Sequence, residues 1–149
     1  MADLTTTIQE TVTINSSLRG STNSVLTTGI NDVLERIVTC TASVVTTIAV
    51  FNTLPSTSPG AIDVDRTRYV RVTNLEAEVT IELAVVTTAT NYQVTLRPGA
   101  SHILYSGDVV ALGEANTSPS FGTLENLASL QVKPTTAVTA RVELFVGVE

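Results

Sequence analysis

An alternation of apolar and polar residues over residues 68–86, "RYVRVTNLEAEVTIELAVV", restricts the fold of this chain more than any other feature. Before the break at "NLEAE", Val70 and Val72 lie on one face of an extended chain and Arg71 lies on the other. After the break a second apolar face follows with the same spacing: Val79, Ile81, Leu83 and Val85. A period of two residues is the signature of a β-strand with one buried face. The stretch therefore predicts two strands that share a core.

The simplest connection between these strands is a hairpin with a four-residue loop over residues 75–78, which is a common hairpin length. This register sets Val72 opposite Ile81 on the inside and Arg71 opposite Glu82 on the outside. A slip of one residue would turn Arg71 into the aliphatic face, so the pattern favours this register. We interpret Arg71 and Glu82 as an exposed cross-strand ion pair worth about 0.2–1 kcal/mol, rather than as a ligand-binding pair.

Other segments of the chain also predict short strands separated by turns. "LTTTIQETVTI" predicts an early strand, and "NSSLRGSTNS" predicts a loop over residues 15–24. Asp32 and Glu35 have the spacing of a helix capping box, but the β-branched residues that follow favour a strand from about Glu35 onwards. "SVVTTIAVF" predicts a further strand, and residues 52–61, with two prolines and a glycine, predict a loop.

A second hairpin is predicted around "YQVTLRPGASHILYS". Tyr92, Val94 and Leu96 alternate inward, and "HILYS" forms the return strand. Pro98 followed by Gly99 suits the two central positions of a type II turn. A long loop over residues 113–126 and two closing strands, "LASLQVK" and "AVTARVELFVGVE", complete the chain.

These elements predict an all-β fold, a single antiparallel β-sandwich or jelly roll of about eight to ten strands with an extended N-terminal arm. The length of 149 residues is that of one domain with a substantial core. We divide the chain into an N-terminal arm or strand, residues 1–30, and a β-sandwich domain, residues 31–149.

The charge distribution argues against nucleic acid as a partner. The net charge is −6, and the eight basic residues are scattered along the chain, whereas phosphate binding requires clustered cations. Only 15% of the residues are charged, which is below the usual quarter. A threonine-rich surface with few charges loses little solvation when subunits meet, so we expect a homo-oligomer.

Three further features of the sequence suggest the cellular compartment in which the protein folds. Cys40 is the only cysteine, which excludes an intramolecular disulfide. The opening "MADLTTTIQE" lacks the basic and apolar regions of a secretory signal. No apolar run approaches the roughly 18 residues of a membrane-spanning helix, so we expect folding in a cytoplasm and no membrane partner.

The residues that carry chemistry do not form a recognisable site in the sequence. A serine nucleophile needs a histidine base, and His102, near Ser101 and Ser106, is the only histidine. We interpret His102 as a strand residue on a solvated face, and Cys40 as a buried, inert thiol rather than the partner of His102 in a dyad. We therefore expect no catalytic residues, no cofactor and no enzymatic activity.

A metal site and a sugar-cleaving site are equally poorly supported. Asp63 and Asp65 share one strand face, but Arg66 and Arg68 follow them, so we expect the acids to pair with these arginines rather than with a cation. A glycosidase needs two carboxylates across a cleft, and sugar clefts usually contain stacked aromatic rings. Tryptophan is absent and aromatic residues make up 4% of the chain.

The central part of the chain resembles small virion structural proteins of tailed bacteriophages, especially marine and cyanobacterial ones. The likeness extends from "NDVLERIVT" through "DVDRTRYVRVTNLEAEVTIELAV" to "YQVTLRPGASHIL". The matching residues are Arg68, Tyr69, Arg71, Thr73, Asn74 and Leu75, followed by Tyr92, Leu96, Pro98, Gly99 and Ser101. The opening "MADLTTTIQETVTINSSLRGSTNSV" is similar to such proteins as well. The resemblance implies a β-sandwich subunit of the virus particle and no catalytic residue.

The resemblance leads to a first hypothesis, a non-enzymatic capsid decoration or cement subunit located in the virion. Its partners would be neighbouring copies of itself and other capsid proteins, and its first thirty residues would add a strand to a neighbour. A second hypothesis is a glycan- or host-surface-binding module of a head or tail fibre, with its site in loops 52–61 and 113–126. A head–tail connector component is a third place in the particle.

Overall fold

The computed structural model describes residues 1–114, 118–119 and 121–149, and the described chain is built from thirteen β-strands and one short 3-10 turn, Pro55–Thr57. The strands of the N-terminal part are β1 (Ala2–Gln9), β2 (Val12–Ile14), β3 (Ser17–Arg19) and β4 (Thr22–Ile30). The remaining strands are β5 (Asp32–Cys40), β6 (Thr46–Asn52), β7 (Ile62–Asp63), β8 (Thr67–Asn74), β9 (Ile81–Thr87), β10 (Asn91–Leu96), β11 (Ser101–Leu104), β12 (Leu127–Pro134) and β13 (Ala140–Val148).

Two sheets form the sandwich. Sheet I has the strand order β10-β9-β12-β6-β7, and sheet II has the order β11-β8-β13-β5. Eight of these strands pair in nested antiparallel fashion, β5 with β13, β6 with β12, β8 with β11 and β9 with β10. Nested pairing of this kind is a long hairpin folded over on itself, which is the jelly-roll topology. The predicted all-β sandwich or jelly roll is confirmed.

The core lies between the inner faces of the two sheets, where the alternating aliphatic residues meet. Val70 and Val72 of β8 face Ile81, Leu83 and Val85 of β9 and their neighbours, and all five are at most 1% exposed. Full burial of each such side chain stabilises the fold by about 1.5–3 kcal/mol. Cys40 is also buried in this core as a free thiol. The apolar faces predicted from residues 68–86 are therefore the true core faces.

The predicted hairpin over residues 68–86 is wrong, because β8 belongs to sheet II and β9 to sheet I. Arg71 lies beside Ile103 and Phe145, and Glu82 lies beside Lys133, so Arg71 and Glu82 do not pair. An alternation with a period of two residues predicts which face of a strand is buried. It does not distinguish two strands that pair in one sheet from two strands that face each other across the core. Here the connection crosses from one sheet to the other.

The second predicted hairpin fails for the same reason, since β10 lies in sheet I and β11 in sheet II. The turn between them is nevertheless as expected. The Ala100 amide donates to the Arg97 carbonyl at 2.9 Å, and Gly99 has a φ of 73°. A positive φ at the third residue is what a type II turn requires. The turn chemistry was correct, and only the pairing partner of each strand was mistaken.

The N-terminal part forms a long hairpin, which we call the arm (residues 2–30). β1 pairs with β4, and β2 pairs with β3 at the far end. The loop predicted over residues 15–24 is wrong, because the turn consists of Asn15 and Ser16 alone, with φ values of 49° and 64°. Positive φ at both central residues defines a type I′ turn, whose twist matches that of the flanking strands.

Candidate functional site

The base of the arm packs on the outer face of sheet II. Leu4 and Ile8 of β1 line a cleft of about 410 Å³ together with Tyr69, Ile103 and Phe145 of the sheet. Because Val70 and Val72 point into the sandwich, Tyr69 points outward, yet it is only 4% exposed. The ring of Tyr69 meets those of Tyr105 and Phe145 edge to face, at centroid distances of 5.7 and 5.9 Å. The outer face of sheet II is thus partly a second, smaller apolar layer.

A polar network crosses the same face beside this layer. Arg71 forms an ion pair with Glu143 at 2.7 Å and donates to the Thr73 hydroxyl at 2.8 Å. That hydroxyl lies 2.8 Å from the Ser101 hydroxyl, and the guanidinium of Arg71 lies 5.8 Å from the centre of the Phe145 ring. The ionic partner of Arg71 is therefore Glu143, not the predicted Glu82. These contacts hold Arg71 against sheet II, where it lines the same cleft as β1.

We call the far end of the arm, residues 10–21, the arm tip. The rest of the described chain does not cover it. Residues 7–26 are exposed throughout. Ile8, Val12 and Ile14 are 45%, 50% and 52% exposed, and Leu18 is 72% exposed. Val12 pairs with Arg19, so these two side chains share one face of the tip with Ile14. The tip thus presents aliphatic groups and one cation to solvent.

Gly20 allows the two strands of the arm to approach closely where the tip meets the base. Its φ is 143°, and a Cβ atom at this position would lie 1.9 Å from the carbonyl oxygen of Glu10. No side chain fits at that distance, so the two strands approach here as only glycine allows. The Glu10 amide donates to the Ser21 carbonyl at 2.8 Å on the other side of this approach. The arm therefore continues as one hairpin through a local irregularity.

A second exposed surface lies on β5, one of the two edge strands of sheet II. Val33, Glu35 and Ile37 point outward from this strand, and we call them the β5 strip. Val33 is 46% exposed and Ile37 is 62% exposed. Among the described strands β5 pairs with β13 alone, so its other edge has unpaired backbone groups. Such an edge is a template for another strand.

The two open sides of the sandwich are each closed by a polar contact. On one side Arg36 of β5 donates to the carbonyl oxygen of Ile48 on β6. On the other side the hydroxyl of Tyr92 on β10 lies 2.9 Å from Nε2 of His102 on β11. The prediction that His102 lies on a solvated face is wrong, because it points between the sheets and is half-buried. Loss of solvation lowers the pKa of His102 and raises the pKa of Tyr92.

The residues considered for nucleophilic chemistry do not come together. Ser101 points outward to Thr73, and Ser106 accepts a hydrogen bond from the Asp108 amide at 3.0 Å. Cys40 on β5 and His102 on β11 lie on opposite edge strands of sheet II. Three strand spacings separate these edges, about 14 Å. Burial raises the pKa of the Cys40 thiol, as expected for an inert cysteine.

The acids near residue 64 also differ from the prediction. Asp63 accepts a hydrogen bond from the Asp65 amide at 3.1 Å, which makes a local turn. Arg68 donates through Nε to Glu149 at 2.8 Å and contacts Asp65 only at its backbone carbonyl. The expected pairing of these acids with Arg66 or Arg68 is therefore wrong. Within the described ranges no three His, Cys, Asp or Glu residues are grouped so as to hold a metal ion.

The loops proposed as a binding site meet at one cleft of about 570 Å³, lined in part by Asn52, Thr53, Glu125 and Asn126. The carboxylate of Glu125 accepts hydrogen bonds from the Thr87 and Thr90 hydroxyls and from the Ala89 amide. These bonds hold the pKa of Glu125 below its ordinary value. Residues 115–117 and 120 of the second loop lie outside the described residues. Phe121 is 86% exposed and does not line the cleft.

The comparisons with known proteins leave the function open. No family model matches the chain, and no curated protein matches it. Among solved structures, a chain from "Bacillus endospore appendages form a novel family of disulfide-linked pili" is 8% identical, with 82% of this chain and 92% of that chain covered at a TM-score of 0.42. At that TM-score the likeness carries no argument. None of the described elements is a helix long and apolar enough to cross a membrane.

Proposed function

We propose that this chain is a non-enzymatic structural subunit of a tailed-phage virion, a capsid decoration or cement protein that contacts copies of itself and other capsid proteins. The resemblance of "RYVRVTNL" and "YQVTLRPGAS" to virion proteins supports the phage context. The observation that carries the assembly role is the exposed arm. Its tip places Val12, Ile14 and Leu18 in solvent at half or more of their full exposure.

An exposed two-stranded hairpin is physically costly unless it meets a partner. A hairpin of two strands is marginally stable in water on its own, and both of its outer edges carry unpaired backbone groups. Burial of Val12, Ile14 and Leu18 against a partner would stabilise the assembly by roughly 25 cal/mol for each Å² of apolar surface removed from water. Strand addition would supply main-chain hydrogen bonds as well. The arm therefore has the properties of a connector between subunits.

The assembly role is tested by light scattering across a hundredfold range of protein concentration. The control is a shortened-arm variant in which residues 10–21 are replaced by Asn-Gly. Gln9 and Thr22 are directly paired, so a two-residue type I′ turn joins them without disturbing the base of the arm. We expect the full chain to form an oligomer and the shortened-arm variant to remain monomeric. A full chain that stays monomeric throughout contradicts self-assembly.

The place in the particle is tested separately, by quantitative mass spectrometry of density-purified phage particles whose genome encodes this chain. A copy number comparable to that of the major capsid protein supports a decoration or cement subunit. A copy number far below that of the major capsid protein, equal to the subunits of a single ring, supports instead a head–tail connector with closed rotational symmetry. Absence from purified particles contradicts a virion protein altogether.

A glycan- or host-surface-binding module is the second candidate, and the cleft that joins the two long loops favours it. Asn52, Thr53, Asn126 and the carboxylate of Glu125 place several hydrogen-bonding groups around about 570 Å³. Its test is a glycan array probed with micromolar protein. Binding that an Asn52→Ala variant loses, and that the shortened-arm variant keeps, would favour this candidate over a cement protein.

A further inference from the structure

The arm tip and the β5 strip present matching chemistry on surfaces that lie apart in one chain. On the tip, Val12 and Arg19 are cross-strand neighbours on one face, and Ile14 lies two residues along that face. On the strip, Glu35 is flanked by Val33 and Ile37. On extended strands, Val12 and Ile14 lie about 7 Å apart, whereas Val33 and Ile37 lie about 14 Å apart with Glu35 between them. A tip centred on Glu35 therefore places one aliphatic group beside each of Val33 and Ile37 and leaves the long side chain of Arg19 within reach of Glu35.

The charges on these two surfaces form no ion pair among the described residues. Arg71, Arg68 and Arg141 have carboxylate partners, whereas Arg19 and Glu35 have no ion-pair partner in the described part of the chain. The chain has only eight basic residues, and one of them, Arg19, lies in the exposed tip of the arm. An arginine on the tip and a glutamate on the strip are complementary in sign.

The arm of one subunit does not cover its own β5 strip. Its base lies over β8, β11 and β13, as the cleft shared with Tyr69, Ile103 and Phe145 shows. Its tip is exposed along the whole length, and Ile37 remains 62% exposed. The free edge of β5 lies directly beside the strip, so a strand that arrives there also finds unpaired backbone groups.

We propose that the arm tip of one copy docks on the β5 strip of a second copy, with Arg19 against Glu35 and with Val12 and Ile14 against Val33 and Ile37. This inference rests on the proposed function, because it names the surface through which the assembly forms. The contact joins two different surfaces, so it is head-to-tail. Repetition of such a contact produces a ring where the rotation closes and an open filament where it does not.

The test is a reciprocal charge exchange, read by light scattering and sedimentation at low salt. Arg19→Glu and Glu35→Arg each place like charges at the contact, and we expect each to raise the dissociation constant by about tenfold or more. The chain with both substitutions restores the opposite charges and should associate within about threefold of the original chain. The matched control is Arg97→Glu, the same charge change at an exposed residue on neither surface, and it should associate as the original chain does.

Mixing the two single variants makes the test specific to a contact between copies. In the mixture, the tip that carries Arg19→Glu meets the strip that carries Glu35→Arg. The unchanged Arg19 of the second variant likewise meets the unchanged Glu35 of the first. We expect the mixture to assemble although each variant alone does not. Melting temperatures of the variants, compared with that of Arg97→Glu, verify that both fold.

The outcomes separate this inference from the proposed function. If the original chain assembles and the two single variants assemble equally well, the arm–strip contact is wrong and the structural role is not. A double exchange that fails to restore assembly, or a mixture that stays dissociated, also overturns the contact. If the original chain is monomeric at every concentration, both the assembly role and the contact are contradicted.

Discussion

The hydroxyl of Tyr92 lies 2.9 Å from Nε2 of His102 and joins an edge strand of sheet I to an edge strand of sheet II. The two rings also meet edge to face at a centroid distance of 5.9 Å. On the opposite side of the sandwich, Arg36 makes the corresponding link to the Ile48 carbonyl. A polar contact thus links the two sheets on each open side of the jelly roll.

The Tyr92–His102 link predicts that stability depends on pH just below neutrality. Burial lowers the pKa of His102 from its ordinary value of 6.5. The unfolded chain therefore binds more protons than the folded chain below that pH, and the free energy of unfolding falls as the pH falls. We expect the melting temperature to drop between about pH 7 and about pH 5, and the drop to disappear in His102→Gln.

Tyr92→Phe is the matched variant for this prediction. It removes the hydroxyl and keeps the ring that buries His102, so the pH dependence should remain. The lost hydrogen bond should lower the free energy of unfolding by about 0.5–1.5 kcal/mol at neutral pH. A Tyr92→Phe chain without pH dependence would show that the hydrogen bond, not the burial, lowers the pKa of His102.

Asn74→Ala should destabilise the sandwich strongly, because Asn74 organises the crossing between the sheets. It is fully buried, and its amide donates to the carbonyls of Val79 at 2.7 Å and Leu96 at 3.1 Å. Each carbonyl left unpaired in the interior costs about 1–3 kcal/mol, so we expect a loss of about 3 kcal/mol in urea unfolding. The exposed Asn23→Ala is the control and should change stability by less than about 0.5 kcal/mol. An Asn74→Ala loss as small as that of the control would refute this role.

Glu125→Gln should destabilise the chain at neutral pH and have less effect in acid. The hydrogen bonds from Thr87, Ala89 and Thr90 lower the pKa of Glu125 from its ordinary value of 4.5. This contribution is fully present above the ordinary pKa and is lost as the pH falls through the lowered one. The melting curves of the two proteins should therefore converge below the ordinary pKa of the carboxyl. A gap that is the same in acid as at neutral pH would contradict the assignment.

Gly20→Ala should disorganise the arm tip and leave the sandwich intact. A Cβ atom 1.9 Å from the Glu10 carbonyl oxygen forces the two strands of the hairpin apart. In hydrogen exchange, the amides of β2 and β3 should lose protection while those of β13 keep theirs. Ser21→Ala, one residue away, is the control and should leave the exchange of both regions unchanged. Equal loss of protection in β13 would mean that the arm and the sandwich unfold together.

The sequence predicted the core faces and the fold class because both depend on local patterns. Val70, Val72, Ile81 and Leu83 are buried whichever strands pair, so their alternation identified the core directly. It did not identify the partners, because a strand that faces another across the core has the same pattern as one beside it. Asn74 was the residue that could have indicated the crossing between the sheets. A polar residue between two apolar strands is expected to be buried and to form hydrogen bonds with backbone groups there.

The orientation of His102 was misjudged for a related reason. In "HILYS", Ile103, Leu104 and Tyr105 are consecutive apolar or aromatic residues, so alternation does not assign His102 to either face. The base of the arm covers the outer face of sheet II, so that face also accepts Ile103 and Tyr69. When both faces of a strand are partly buried, alternation no longer distinguishes inside from outside. The proposed arm–strip contact was equally beyond the sequence, because it depends on which strands lie at the edges of sheet II.

The position of the last two strands has a consequence for synthesis of the chain. β13 lies between β8 and β5, and β12 lies between β9 and β6, so each sheet receives a central strand last. Sheet II cannot close until Ala140 reaches Cys40, and contacts so distant in sequence form slowly, in roughly milliseconds to seconds. The strands of the arm pair only with each other, but a two-stranded hairpin is marginally stable alone. On the ribosome, therefore, the arm gains the support of sheet II only when Phe145 of β13 has been added to that sheet.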